Sequence, residues 1–193
     1  RSLHRNNSIN KPNMKRITLI MCLLLPGVKA IFCDAQDQNR QQLVAVMEQY
    51  LDALAKHDPS LVPLAADVKL VENTEVTPIG KGLWETATGG PTDFRIFAAD
   101  PVAGQVGFLG VIEENGKPTI AGVRLKLVDG RITEIDHLVV HSGDQPLNPN
   151  MATVRPGLLE LVKPEERVSR EEMFRIANLY YEAIVQDNGK VAP

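Results

Sequence analysis

Two tight-turn signals constrain this chain more than any other feature. "ENGK" at 114–117 and "VDGR" at 128–131 set Asn-Gly and Asp-Gly between runs rich in β-branched and apolar residues. Those dipeptides supply the positive φ that two-residue hairpin turns need. "GQVGFLGVIEE" (104–114), "PTIAGVRLKLV" (118–128) and "RITEIDHLVVH" (131–141) therefore read as consecutive antiparallel strands, preceded by a fourth, "DFRIFAAD" (93–100). Further upstream, Leu43, Met47, Tyr50 and Leu54, flanked by Val44 and Leu51, recur at helical spacing. Between helix and meander come a turn at "HDPS", a short strand or hairpin in "VKLVENTEV" (68–76), and a loop or short helix in "GKGLWETATGG" (80–90), which carries the only tryptophan. Helix first and meander second predicts an α+β fold, with the N-terminal helix packed on one face of a curved antiparallel sheet.

The helical stretch recurs. Asn39–Pro63 lies without a gap on Ser169–Pro193, with identities at Arg40/Arg170, Tyr50/Tyr180, Ala53/Ala183 and Pro63/Pro193. Both copies open with a capping-box pattern, Asn39 with Gln42 and Ser169 with Glu172. This predicts one complete module over 39–142, a linker over 143–168 marked by prolines 146, 149, 156 and 164, and the first helix of a truncated second module over 169–193. An isolated amphipathic helix has nothing to bury its apolar stripe against. Met173, Ile176, Ala177, Tyr180 and Ile184 must then pack on the first module or lie exposed.

The N-terminus reads as a targeting segment. Lys15 and Arg16 precede the apolar run Ile17–Leu25, and small residues follow up to Ala30, the order of a secretory signal peptide. That run is short of the roughly 20 residues needed to cross a bilayer. Residues 1–13 read as non-native upstream sequence and 14–35 as the signal peptide, with cleavage after Ala30 or Ala35, so the expected location is secreted, extracellular or periplasmic. Of the two cysteines, Cys22 lies in the apolar run and Cys33 near the cleavage point, which leaves no internal disulfide in the processed chain. A net charge of -3 offers no basic field for nucleic acid or an anionic membrane, so neither is expected as a partner of the mature protein.

The order helix, short strand, "LW", "AADPVAGQVG", then "VRLKLVDGRITEID" resembles the cone-shaped fold shared by nuclear transport factor 2 (NTF2), ketosteroid isomerase and the SnoaL-type cyclases. "ENTEVTPIGKGLW", "RLKLVDGRITEIDHLVV" and "SREEMFRIANLYYEAI" are similar to an uncharacterised secreted family, a domain of unknown function of fungi and bacteria, in which a second NTF2-like unit follows the first. The resemblance covers about Asn39 to Pro193 and implies an NTF2-like domain over 39–142. It also implies a cysteine near the first helix and another in the second unit; Cys33 lies further upstream than the first of these. It implies no single reaction.

Folds of this shape enclose a pocket between helix and sheet, so the polar residues that point inward matter most. Two registers are open. Direct pairing through the Asp-Gly turn puts Glu134 and Asp136 on the apolar face with Val123, Leu125 and Leu127, where raised pKa values would suit an acid and a base. A bulge after Ile132 instead turns Ile135, His137 and Val139 inward and leaves both acids outside; His137 is then the candidate base or hydrogen-bond donor. His141 falls at the strand end, with no third ligand in view for a metal. Tyr50, Glu72, Trp84 and Asp100 are the ligand-binding candidates. Tyr50 and Trp84 suit a pocket wall or the core, Glu72 a pocket or a strand irregularity beside Asn73, and Asp100 a pocket or a turn before Pro101 and Gly104. No Gly-rich phosphate loop and no serine or cysteine nucleophile pattern occurs, so no cofactor and no metal are expected. Two functions remain in view: a module binding a small apolar ligand or a partner, and a cofactor-free isomerase or cyclase working in the cone. A pocket with a titratable group at its floor separates them. The open sheet face is a further candidate surface for a homodimer.

Overall fold

A computed structural model describes residues 26–141 and 146–186, with side chains from residue 39 onward. Residues 14–25 of the expected signal peptide, Cys22 and the closing residues 187–193 lie outside the described residues, as does the side chain of Cys33. Among the described residues no helix is long and apolar enough to cross a membrane.

The fold is α+β. Helix α1 (Pro26–Ala55) lies in the concavity of a seven-stranded sheet with the order β2-β1-β7-β6-β5-β3, β4 also pairing with β5. The strands are β1 (Leu64–Glu72), β2 (Glu75–Val76), β3 (Ala87–Gly89), β4 (Arg95–Asp100), β5 (Gln105–Glu114), β6 (Lys117–Val128) and β7 (Arg131–Val140). A short helix α2 (Leu83–Thr86) precedes β3, and α3 (Arg170–Gln186) closes the described chain.

The meander follows its turns. Asn115 and Gly116, and Asp129 and Gly130, all adopt positive φ, as hairpin turns of this kind require. Three features differ from the sequence expectation. The sheet is mixed rather than antiparallel, because β1 runs parallel to β7; that pairing joins segments far apart in sequence, and no turn motif announces it. Helix α1 starts at Pro26 and runs through Asn39, since no proline or glycine after Gly27 breaks it. The capping-box pattern at Asn39 is therefore interior. At the second copy the cap is used: the Glu172 amide donates to Ser169 Oγ at 3.1 Å.

The decisive local feature is a β-bulge. Val128 faces Arg131 and Leu127 faces Ile132, but Lys126 then faces Glu134, so Thr133 is the extra residue. From there Leu125 pairs with Ile135, Val123 with His137 and Ala121 with Val139. Ile132, Ile135, His137 and Val139 all point into the core. They meet Met47, Tyr50, Leu51 and Leu54 of α1, with Leu70, Leu83, Trp84, Val106, Phe108 and Ile112 completing the cluster. Each large apolar side chain removed from water here contributes roughly 1.5–3 kcal/mol.

Helix α3 has no buried residue. Met173, Ile176, Tyr180 and Ile184 are all exposed, as are Phe174, Tyr181 and Val185. Of the two outcomes open to its apolar stripe, exposure is the one observed. The segment before it includes three short 3-10 turns, each beginning at a proline: Pro149–Met151, Pro156–Leu158 and Pro164–Glu166.

Candidate functional site

Four of the seven sequence candidates converge. Tyr50 points inward from α1 on the same face as Met47 and Leu54. The bulge aims His137 at it, and Tyr50 Oη lies 2.8 Å from His137 Nε2. Glu72 ends β1 in register with His137 on the neighbouring strand, and its Oε2 lies 3.0 Å from His137 Nδ1. Trp84 packs edge-on against Tyr50 with ring centroids 5.2 Å apart.

The directions of these bonds are set by the groups around them. Glu72 Oε2 also accepts from the Leu83 amide at 2.9 Å, which fits an ionised carboxylate. His137 Nδ1 then carries its proton toward Glu72, and Nε2 is left to accept from the Tyr50 hydroxyl. Burial pushes the Glu72 carboxyl up, but the hydrogen bonds from His137 and Leu83 outweigh it and hold it below its ordinary value. Burial pushes the Tyr50 phenol well above its ordinary value; the Trp84 indole acts the other way and the Glu72 charge adds to the rise. The raised value keeps the Tyr50 phenol protonated at neutral pH, as a hydrogen-bond donor. Trp84 Nε1 influences the phenol yet makes no hydrogen bond of good geometry; it is a buried donor without a partner among the described residues.

Three further residues hold this cluster. Gly82, at φ 65° and ψ -128°, passes so close to Glu72 that a Cβ would sit 2.4 Å from Oε1. His57 Nδ1 meets the Trp84 carbonyl at 2.7 Å. Asn73 fixes β7 on both sides of Leu138: its amide donates to the His137 carbonyl at 2.9 Å, and its side chain accepts from Val139 N at 2.9 Å and donates to Val139 O at 3.1 Å. The glycine in "GKGLW" was the one visible signal for Gly82. Asn73 shows in the sequence as an interruption of the strand beside Glu72, and nothing local signals His57.

The remaining candidates stand elsewhere. Glu134 and Asp136 are on the outer face, because the bulge shifts them there, and they pair with cations instead of entering an apolar pocket. Arg124 bonds Glu134 at 2.8 Å and Asp136 at 2.5 Å, and Lys126 bonds Glu134 at 2.8 Å. Lys126 first and Arg124 second draw the Glu134 carboxyl down to about 2, opposite to the rise that an acid catalyst would need. Asp100 shapes a turn: its Oδ1 accepts from Val102 N at 3.1 Å and Ala103 N at 3.2 Å, while Oδ2 pairs with Arg170.

Residues 36–139, more than half of the chain, match the family described as Domain of unknown function (DUF8021). The chain belongs to that family. Its structure is similar to an NTF2-like protein of unknown function from Cytophaga hutchinsonii, at 13% identity over 50% of this chain and 88% of that one, with a TM-score of 0.40. It is also similar to a protein provisionally named a polyketide cyclase from Xanthomonas campestris pv. campestris (20% identity; 52% and 91% covered; TM-score 0.38). A third is provisionally named a ketosteroid isomerase, from Kribbella flavida (15% identity; 69% and 96% covered; TM-score 0.42). No curated protein matches the sequence.

The chemistry open to the cluster is narrow. Carboxylate, imidazole and phenol form one hydrogen-bonded chain, but Tyr50, Trp84 and His137 are exposed by only 0, 1 and 3%. Met47, Leu54, Leu70 and Leu83, in the same core cluster, are each at 2% exposure or less.

Proposed function

We propose that this DUF8021 domain is a binding module, and that its working surface is the outer face of the sheet, where a second copy of the chain docks. The observation that carries this reading is the close packing around Glu72, His137 and Tyr50. Tyr50 and Trp84 are buried between helix and sheet, and the Glu72–His137–Tyr50 chain acts as a polar bolt between strand and helix. A small apolar ligand in the cone, or an isomerase or cyclase reaction there, requires those rings to part.

The outer face has what docking needs. Leu109 on β5 and Leu138 and Val140 on β7 stand exposed on either side of β6, and Gly122 on β6, paired with both Leu109 and Leu138, leaves a shallow floor between them. Arg124 and Lys126 balance Glu134 and Asp136 on the same face, so two copies can approach without net repulsion. Sedimentation equilibrium of the mature chain tests this. A concentration-dependent dimer that Leu138→Arg dissolves is expected, and a monomer at all concentrations would overturn the reading. A leader of the kind read at 14–35 supports secretion. The mature chain is then expected in the medium or periplasm, beginning at Ile31 or Gln36; recovery from the cytosol with Met14 intact would refute it.

A further inference from the structure

Away from both the cone and the outer sheet face, a groove of about 580 Å³ runs between α3 and the corner where α1 meets the end of β4. Two guanidinium groups enter it from equivalent places in the sequence repeat. Arg40 donates through Nη1 to the Ala99 carbonyl, and Arg170, its counterpart 130 residues on, pairs through Nη2 with Asp100. Both arginines thus converge on the last two residues of one strand. The remaining walls are apolar: Val102 on one side, Phe174 and Ala177 on the other. The Arg170 guanidinium lies over the Phe174 ring, 4.9 Å from its centroid, which keeps its planar fork in place.

We propose that this groove binds a small amphipathic carboxylate, the acid group held between Arg40 and Arg170 and the apolar tail laid along Val102, Phe174 and Ala177. The volume falls within the roughly 300–1,000 Å³ usual for small-molecule sites. Among the described residues the lining holds two guanidinium groups and one carboxylate, with the Glu171 charge also acting on Arg170. Each arginine is engaged on one side, and a guanidinium presents further N–H donors suited to a second oxygen pair. The apolar walls reject a fully hydrated anion such as phosphate in favour of one with a hydrocarbon tail. This site is independent of the outer sheet face, and either can fail without the other.

The test is calorimetric titration of octanoate into the full chain, with octanol and octylammonium as matched probes. Charge-assisted hydrogen bonds are worth about 1.5–3 kcal/mol, so octanoate is expected to bind about tenfold or more tighter than octanol, with octylammonium weaker still. Arg40→Gln and Arg170→Gln are each expected to remove most of that preference. Ala177→Trp, which fills the groove and keeps both arginines, is expected to abolish binding of every probe. Far-UV circular dichroism confirms that each variant is folded, and the arginine variants carry the test should Ala177→Trp destabilise α3. Absence of saturable binding, equal affinity for octanol and octanoate, or an unchanged octanoate affinity in the double arginine variant would each overturn the proposal.

Discussion

Replacing Tyr50 by Phe removes one oxygen from the centre of the fold and leaves the ring in place. The edge-on contact with Trp84 survives, so little packing is lost. What changes is His137 Nε2, whose one partner is the Tyr50 hydroxyl at 2.8 Å in a side chain with no exposure to solvent. Leaving such a buried group unsatisfied costs about 1–3 kcal/mol, while removing the buried hydroxyl recovers part of that. A net loss of about 1–2 kcal/mol is expected. For a domain of this size each kcal/mol moves the melting midpoint by roughly 4–8 °C, which gives a fall of about 5–15 °C. Thermal unfolding followed by far-UV circular dichroism at neutral pH measures it, with Tyr181→Phe as the control, since Tyr181 is 66% exposed and its loss should fall within about 0.5 kcal/mol. The bolt interpretation is refuted if Tyr50→Phe melts with the parent, or if the control falls equally far.

Three further outcomes are expected. Gly82→Ala forces a side chain into the Glu72 carboxylate and a backbone conformation close to glycine-only, so it should cost about 2–4 kcal/mol; Gly130→Ala, with open space around it, should cost about 1–2 kcal/mol, and urea midpoints compare the two. Glu134 has a folded pKa drawn below its ordinary value of 4.5 to about 2, so the unfolded chain binds the proton first; its contribution is present above pH 4.5 and lost as the pH falls toward 2. Glu134→Gln should flatten the pH dependence of stability in that window, and because the pair is over a third exposed the change is small and shrinks with added salt. Deleting residues from Pro164 onward should move the melting midpoint by less than about 3 °C, because α3 buries nothing; a larger fall would make α3 part of the first module's core.

The strands and hairpins were legible because their determinants are local. Asn115-Gly116 and Asp129-Gly130 announce their own backbone angles, and alternation marks the strands between them. The parallel pairing of β1 with β7 was hidden, since it depends on which edge the distant segment Leu64–Glu72 meets. The site was legible in part. His137 followed from allowing a bulge after Ile132, and Tyr50 and Trp84 followed from bulk and periodicity. Their meeting with Glu72 rests on register between strands 65 residues apart, which no local pattern encodes. Glu134 and Asp136 were misplaced under direct pairing for the same reason: one unpaired residue, Thr133, outweighs every preference within the strand.

That extra residue makes the character of β7 a matter of parity. Between Arg131 and Val140 the same side chains could present an acid-lined or a histidine-lined interior, and Thr133 selects between them without touching either. Pairing Thr133 with Lys126, in place of leaving it over, would alter no turn and no charge, yet it would carry Glu134 and Asp136 into a space filled by Leu70 and Tyr50 and send His137 out beside Arg124. Two chains of this kind with the same residues could thus differ in which chemistry they enclose, according to whether one residue of the strand is paired or left over.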